Sequence, residues 1–312
     1  MKKKMINKTF IQGVLYQHTL EKKVVNNPES ANNGVEYITG NIEIATDAAK
    51  VNIVPVHFSF VTATTKQGKP NSTFTTLSDI ISGKHGSIMT DGEDNAVMLT
   101  VDSAIGLNEF YTDRNGKEEL VSAKRNEGGF VHIANVINDD EKTRNTFETD
   151  IIITNVRHVD ADDEKGYPEK AVVKGAIFNF RNDVLPVEFS VLNTNAINYF
   201  EGLEAAPKNP IFTRVRGRQI SETIIKRIEE ESAFGETYIR EVPNTRKDFV
   251  ITWAQSEPYV WDDEESILAT EFAELLANRN TYLATLKKRN DEYKASKGQG
   301  TAKSVANDGF DF

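Results

Sequence analysis

The chain has 312 residues, with 37 Lys and Arg against 47 Asp and Glu, so its formal net charge is −10. Hydrophobic residues make up 38% of the sequence and charged residues 27%, which is typical of a globular protein and at this length indicates two domains. The absence of cysteine excludes disulfides, thiolate metal sites and cysteine nucleophiles, and it fits a reducing compartment such as the cytoplasm. The sequence contains no apolar run long enough to predict a signal peptide or a membrane span.

The first two thirds of the chain is predicted to be rich in β-strands. Short segments with a two-residue hydrophobic period, such as residues 10–16, contain many β-branched and aromatic side chains. Asn, Asp, Gly and Pro separate these segments, as expected for turns. The Asn115-Gly116 pair favours the positive φ angles of a tight hairpin turn, which we expect to join strands over 106–112 and 118–123.

An imperfect internal repeat organises these strands. Gly40 opens a strand that is followed by the pattern aliphatic-Pro-Val-x-Phe-Ser over residues 54–59. Gly175 opens a second copy, with the same pattern over residues 185–190. Alternation predicts that one side of each second strand faces the core, with the side chains of Val56, Phe58 and Phe60 and of Val187, Phe189 and Val191.

Each copy lies within the same predicted order of elements, strand-strand-strand-helix-strand-strand, which is the order of an OB-fold barrel. The first copy has predicted strands over 10–19, 40–44, 54–61, 106–112 and 130–136 and a helix over 74–81. The second has predicted strands over 151–159, 175–180, 185–192, 211–220 and 248–253 and a helix over 196–203.

We therefore predict a mainly β protein with two tandem OB-fold-like barrels, followed by a C-terminal helix and a disordered acidic tail. The predicted domains are residues 1–145 and 146–261 for the barrels, 262–294 for an amphipathic helix and 295–312 for the tail. A β-sandwich or one larger mixed sheet is the alternative architecture.

The composition of the chain changes after Trp261. Residues 262–265 are acidic, which favours a helix start, and apolar side chains recur at helical spacing over 264–293. From residue 295 the sequence has too little apolar content to order itself. It nevertheless ends in an acidic, aromatic peptide of a kind that a partner protein binds, with Asp308, Phe310, Asp311 and Phe312.

Residues 212–218 give the strongest local signal for a binding site. In an extended strand Phe212 and the three arginines that follow it project from one face, about 6.5–7 Å apart. Such a row approaches the spacing of successive phosphates, and the aromatic ring is placed to stack on a base. The alternative is a solvated face whose arginines pair with carboxylates. The predicted nucleic-acid contacts on this strand are Phe212, Arg214, Arg216 and Arg218.

A second aromatic pair, Phe178 and Phe180, is predicted to point outward if Ile177 faces the core as Ile42 does in the first copy. OB-folds bind strands across this face, so both rings are candidates for base stacking. The alternative is that the helix or the other barrel packs there.

Weaker candidates for nucleic-acid contacts lie in the first half of the chain, and each of them is also explained as an ordinary surface residue. They are Tyr16, Lys66, Lys69, Phe110, Lys124 and Arg125. Near the end of the second barrel, Trp253, Tyr259 and Trp261 are predicted to pack in the core or between domains.

Enzyme signatures are absent from the sequence. It contains no Walker loop, nucleophile elbow, H-E-x-x-H or G-x-G-x-x-G motif, and its five histidines have no ligand-like spacing. The acidic segment 160–164 lacks the Gly and Glu positions of a calcium loop and is better explained as a solvated turn. We therefore expect no enzymatic activity, no cofactor and no metal site.

Together these features resemble the single-stranded-DNA-binding proteins of bacterial and phage replication, and the phage type most of all. The barrel pattern covers residues 8–256 and the tip covers residues 307–312. The resemblance implies that the barrels bind single-stranded DNA without sequence preference and that the tip recruits partners in DNA replication, recombination and repair. It places the protein in the cytoplasm, that of the host cell if the protein is phage-encoded, and it implies no membrane partner.

The acidic total restricts how such a protein binds DNA. Residues 257–312 contain eleven acids and seven bases, a net of −4, so the preceding 256 residues still carry −6 of the total of −10. Binding must therefore use a local basic groove. The competing hypothesis is a structural or adaptor protein, such as a phage virion or assembly component that uses its β-domains and long helix to bind other subunits.

Overall fold

A computed structural model describes residues 5–162, 167–231, 234–235, 237–263 and 267–300, without the side chains of 221–227, 231, 243–246 and 297–300. All strands in these ranges belong to one sheet, in the order β10-β11-β9-β8-β7-β1-β5-β6-β4-β3-β2. The strands are β1 (Asn7–His18), β2 (Glu21–Val24), β3 (Glu36–Ala45), β4 (Ile53–Thr62), β5 (Met98–Arg114), β6 (Lys117–Ile133), β7 (Asn145–Val159), β8 (Lys170–Phe178), β9 (Val184–Val191), β10 (Ile211–Glu231) and β11 (Thr237–Ala254). The helices are α1 (Ser72–Ile81), α2 (Ile88–Asp91), α3 (Thr194–Gly202) and α4 (Ala269–Gly300).

The first barrel contains β1, β3, β4, β5 and β6. Strand β1 pairs antiparallel with both β3 and β5, β3 pairs with β4, and β5 pairs with β6. A short parallel pairing of β4 with β6, at Val56 with Asn126, closes the ring. Helix α1 lies between the third and fourth strands of this ring, as in an OB-fold.

The second barrel repeats this topology with β7, β8, β9, β10 and β11. Strand β7 pairs with β8 and β10, β8 pairs with β9, and β10 pairs with β11. A parallel contact of β9 with β11, at Ser190 with Val250, closes this ring, and α3 lies between its third and fourth strands. The prediction of tandem OB-fold-like barrels in a mainly β chain is therefore confirmed. The structure is not a β-sandwich, and the strands of the two barrels also join into one large mixed sheet, as the other alternative had it.

The two repeats also begin their helices in the same way. The side chain of Asn71 accepts a hydrogen bond from the backbone N–H of Thr73 and caps α1. Asn193 caps α3 by accepting from the backbone N–H of Ala196. Such N-caps satisfy donors that the first helical turn leaves unpaired, so one residue type at one position fixes where both helices start.

Alternation along the repeated strands builds the cores, with one correction. Phe58 and Phe189 are buried as predicted, but the Phe60 side chain is 44% exposed. The register of β3 with β4 shifts between Ile38 and Gly40, because β4 contains one extra residue opposite this segment. Because a one-residue insertion reverses the facing of the residues that follow, Phe60 turns outward and packs on Tyr37.

The hairpins of both barrels are longer than predicted. Asn115 and Gly116 adopt the positive φ angles expected for the turn between β5 and β6. The two predicted strands 118–123 and 130–136 are one strand, β6, because Gly128 and Gly129 form an irregularity with positive φ instead of ending the ladder. In the second barrel, β10 and β11 extend past the barrel as a long ribbon.

The barrels are joined by strand pairing and by a buried set of amides. Strand β1 pairs antiparallel with β7, so the sheet continues from one barrel into the other. Between the barrels, the side chains of Asn126 and Gln219 exchange hydrogen bonds of 2.7 and 2.9 Å. Asn126 also donates to the carbonyl of Pro55, and the backbone of Gln219 exchanges hydrogen bonds with the Asn145 side chain. We call these contacts the amide junction.

The segment after β11 covers the outside of the second barrel. Tyr259 and Trp261 pack on Phe212, and Phe272 of α4 packs on Phe178. Helix α4 starts at Ala269, later than the predicted residue 264, and ends at Gly300. Its residues then contact the β5–β6 hairpin, where Arg279 forms a bidentate ion pair with Glu109. No helix in the described part of the chain is both long and apolar enough to span a membrane.

The amide junction is expected to contribute measurably to stability. Replacing Asn126 with Ala leaves the buried amide of Gln219 and the carbonyl of Pro55 without partners, so the free energy of unfolding should fall by about 1–3 kcal/mol. Urea denaturation measures this change. Asn108→Ala, at an exposed position of β5, is the matched control and should change stability by no more than about 0.5 kcal/mol.

The double variant Asn126→Ala with Gln219→Ala completes the test. Because the two side chains bond each other, their effects should be non-additive by about 0.5–3 kcal/mol. Strictly additive losses would show that the junction does not act as a unit.

Candidate nucleic-acid interface

A groove runs along the face of β8 and β9 in the second barrel and is walled by the β5–β6 hairpin of the first. On β8, alternation turns Lys170, Val172 and Lys174 toward the groove, because the residues between them face the barrel core. Ser190 and Glu188 of β9 pair in register with Val172 and Lys174 and line the same cavity. The groove therefore occupies the side of the barrel formed by its second and third strands, where OB-folds hold single strands.

Three adjoining cavities of about 410, 660 and 250 Å³ form the groove, and Lys247 and Asp248 at the base of the β10–β11 ribbon line all three. One end reaches Tyr167 at the turn between β7 and β8. The other end reaches Pro55 of the first barrel. The groove thus passes from one barrel to the other beside the amide junction.

The groove is basic although the chain is acidic. Among the described residues that line its largest cavity, five cations face two carboxylates, Glu188 and Asp248. A sixth cation, Arg125, lines the cavity at the first barrel. We call this surface the basic groove, and its cations are Lys124, Arg125, Arg157, Lys170, Lys174 and Lys247.

The cations differ in how far they are neutralised. Lys170 lies 3.5 Å from the Asp248 carboxylate, and Lys174 lies 4.0 Å from that of Glu188. Arg157 and Lys247 are exposed and make no ion pair with any described residue. Their charges are therefore available to an anionic ligand, whose acceptor is a phosphate or a carboxylate oxygen.

Lys124 enters the groove from the β5–β6 hairpin and is held in an apolar setting. Its ammonium lies 5.0 Å from the ring centroids of both Phe189 and Phe249 and donates to the backbone carbonyl of Glu188. Burial lowers the pKa of Lys124 to about 8, an effect that Lys170 strengthens and the carboxylates of Asp248 and Glu188 oppose. An anion bound in the groove would raise this pKa again.

The row of arginines predicted on β10 is present, but two of the three are already paired. Arg214 Nε donates to Asp150 Oδ1 at 2.8 Å, and Asp150 is fully buried. Arg216 donates to Glu148 at 3.0 Å. Arg218 makes no ion pair within the described residues. The row lies on the outer face of β10 and β7, outside the basic groove.

Phe178 and Phe212 were predicted to be exposed and to stack on bases, but neither ring is accessible to a ligand. Both rings do leave the barrel core, yet both are fully buried because the C-terminal segment packs over them. Phe180 is 76% exposed, as predicted, but lies in the turn after β8. Tyr259 and Trp261 pack between elements as expected, whereas Trp253 is 43% exposed.

The weaker candidates of the first half divide between two locations. Lys124 and Arg125 line the basic groove, where Arg125 also pairs with Glu127 at 2.9 Å. The other four do not line it, and their contact with a ligand stays a prediction: Tyr16, Lys66, Lys69 and Phe110. Phe180 of the second copy does not line the groove either, and its contact with a ligand also stays a prediction. The predicted partner-binding residues Asp308, Phe310, Asp311 and Phe312 lie outside the described residues.

The YorF family model matches residues 7–294, which is most of the chain. The chain belongs to the YorF family. Two solved structures of the single-stranded DNA binding protein from Thermus aquaticus are similar to it, each with 11% sequence identity. A deletion mutant gives a TM-score of 0.44 and covers 83% of this chain and 97% of that chain. The wild-type protein gives 0.42, with 81% and 93% covered. No curated protein matches the sequence.

Four cations of the groove were missed by sequence reasoning: Arg157, Lys170, Lys174 and Lys247. They come from three different strands, so no local run of basic residues reveals them. A signal existed for two of them, because Lys170 and Lys174 alternate with the buried residues of the repeated strand that contains Gly175. Outward lysines on the second strand of a barrel point to its binding face.

The titration of Lys124 should be visible in the pH dependence of stability. Because its folded pKa lies below the ordinary value of 10.5, the folded state loses this proton first as pH rises above 8. The wild type should therefore gain stability relative to Lys124→Met between pH 8 and 10.5, and the gain should end above that range. Urea denaturation at a series of pH values measures it. A constant difference between the two proteins would contradict the burial of the ammonium.

Proposed function

We propose that this protein binds single-stranded DNA without sequence preference, in the basic groove. The observation that carries the proposal is the concentration of five cations against two carboxylates in the central cavity of an OB-like barrel, in a chain of net charge −10. Neutralising phosphates releases counterions, which is the main source of sequence-independent affinity. A local excess of positive charge in an acidic protein is therefore best explained by a ligand that carries phosphates.

The cations are placed to contact separate phosphates. Lys170 and Lys174 are four residues apart on β8, about 13 Å at the rise of a strand. Arg157 lies on the neighbouring strand and Lys247 at the base of the ribbon. Since Arg157 and Lys247 are exposed and make no ion pair among the described residues, they can bind phosphate without first losing a carboxylate.

Apolar surface between these cations favours a single strand over a duplex. Leu120, Val172 and Pro186 line the same cavity, and Tyr167, which is 41% exposed, stands at the end of the groove. Bases present their faces to such surfaces only when they are unpaired. A duplex keeps its base faces stacked inside the helix, so it gains less from this part of the groove.

The broader role that we propose is support of DNA replication, recombination and repair, without enzymatic activity and in the cytoplasm of the cell that contains the DNA. In that role the tip with Phe310 and Phe312 recruits partner proteins. The composition of residues 295–308, which is poor in apolar side chains, supports a role for the two rings outside the fold.

Binding is tested with labelled oligothymidine and a duplex of equal length at two salt concentrations, by fluorescence anisotropy. The single strand should bind more tightly, with an affinity that falls as salt rises. Equal affinity for both, or no binding at low salt, would favour a structural or adaptor protein instead.

The groove itself is tested by the double variant Arg157→Gln with Lys247→Gln. It should weaken binding and flatten the log–log salt slope by about 1.4, since each phosphate contributes about 0.7. The control, Lys208→Gln with Lys288→Gln, removes the same charge from surfaces outside the groove and should keep the slope of the wild type. If the two variants behave alike, the groove is not the site.

The tip is tested by deletion of residues 307–312. The melting temperature should stay nearly unchanged, and DNA affinity should be equal or somewhat higher, because a tethered acidic peptide competes with phosphate at high effective concentration. Recruitment of replication proteins, measured by pull-down, should be lost. A large fall in melting temperature would show instead that the tip belongs to the fold.

A further inference from the structure

A second surface, on the outer side of the sheet, spans both barrels. Direct strand partners place five residues side by side across β6, β5, β1, β7 and β10: Phe130, Asp102, Phe10, Thr146 and Arg218. Neighbouring strands lie about 4.8 Å apart, so this row is about 19 Å long. A second row, of Lys8, Glu148, Arg216 and Trp253, runs beside it. We call the two rows, together with Lys142 in the same cavity, the spanning face.

The charge of the spanning face is positive. Its cations are Lys8, Lys142, Arg216 and Arg218, and its acids are Asp102 and Glu148. Glu148 is neutralised from two sides, by Lys8 at 2.8 Å and by Arg216 at 3.0 Å. Lys142 and Arg218 make no ion pair with any residue that the structure describes. A cavity of about 1050 Å³ lies over these side chains.

Exposed aromatic rings accompany these cations. Phe130 is 64% exposed and Trp253 is 43% exposed. The guanidinium of Arg216 lies 4.6 Å from the centroid of the Trp253 ring. Large rings on an open sheet face, next to unpaired cations, form the kind of platform on which unpaired bases stack while phosphates are neutralised. An apolar partner protein would instead leave Lys142 and Arg218 buried without countercharge, which is unfavourable.

The spanning face and the basic groove lie on opposite faces of the β10–β11 ribbon. Arg218 lies on the outer face of β10, and Lys247 of the groove pairs in register with Ser221. Ser221 is three positions after Arg218, about 10 Å along the strand, and alternation turns the two positions to opposite faces of the ribbon. A single strand that leaves the groove at the base of the ribbon therefore reaches the spanning face by passing around the edge of the ribbon.

We propose that the spanning face is a second binding segment for the same single strand, in which Arg218 and Lys142 contact phosphates and Trp253, Phe10 and Phe130 stack with bases. This inference rests on the proposed function of the basic groove. It means that a short oligonucleotide occupies the groove alone, whereas a longer one also crosses the outer face of both barrels.

The test compares oligothymidines of about 8 and about 30 nucleotides, chosen because one OB-fold covers about 4–16. The double variant Trp253→Ala with Arg218→Gln should bind the short strand like the wild type and the long strand at least about fivefold more weakly. The groove variant Arg157→Gln with Lys247→Gln should weaken binding of both lengths. Trp253→Phe keeps a ring and should bind both lengths nearly as the wild type does.

Tryptophan fluorescence gives an independent readout. The long oligonucleotide should quench the emission of the wild type, and the short one should not. Trp253→Phe should lose this quenching although it still binds, because the remaining Trp261 packs between Phe212 and Phe272. If the Trp253→Ala, Arg218→Gln variant binds both lengths as the wild type does, the spanning face is not a binding segment, while the groove proposal stands. If the wild type binds neither length, the proposed function itself fails.

Discussion

The reciprocal hydrogen bonds between the buried amides of Asn126 and Gln219 are the contact on which the proposed binding surfaces depend. A buried amide without a partner is destabilising, so these hydrogen bonds favour one position of the first barrel relative to the second. Lys124, two residues before Asn126, is thereby held against Phe189 and Phe249, and the hairpin that contains it becomes a wall of the groove. The pairing of β1 with β7 extends the same constraint to the outer face of the sheet.

The C-terminal segment completes the arrangement from outside. It first covers Phe178 and Phe212 on the second barrel, and burial of these rings attaches it there. Helix α4 then reaches the hairpin of the first barrel, where Lys287 and Lys294 lower the pKa of Glu118 to about 2. Exposed ion pairs of this kind contribute little stability singly. Together with the pair of Arg279 and Glu109, they connect α4 to the hairpin that walls the groove.

Charge is distributed so that an acidic protein retains two basic surfaces. Carboxylates on β7 pair with Arg214 and Arg216, whereas Arg157 and Lys247 keep their charges exposed. The buried Asp150 also accepts from the backbone of Ile6, so Arg214 is part of the structure that holds the N-terminal strand to the second barrel. The three arginines of β10 thus have different roles, because Arg214 is structural whereas Arg218 keeps its charge for a ligand.

The sequence by itself determined the barrels. Hydrophobic alternation, the repeat around Pro55 and Pro186 and the Asn-Gly turn are local signals, and each specifies its own strand or turn. It also determined that Phe178 leaves the core. Only the tertiary structure decided what covers that ring, which residues line the groove, and that Trp253 is exposed, because these depend on contacts between segments far apart in the chain. The cations of the groove lie on β6, β7, β8 and β11, and no local sequence pattern indicates that these four strands bring them together.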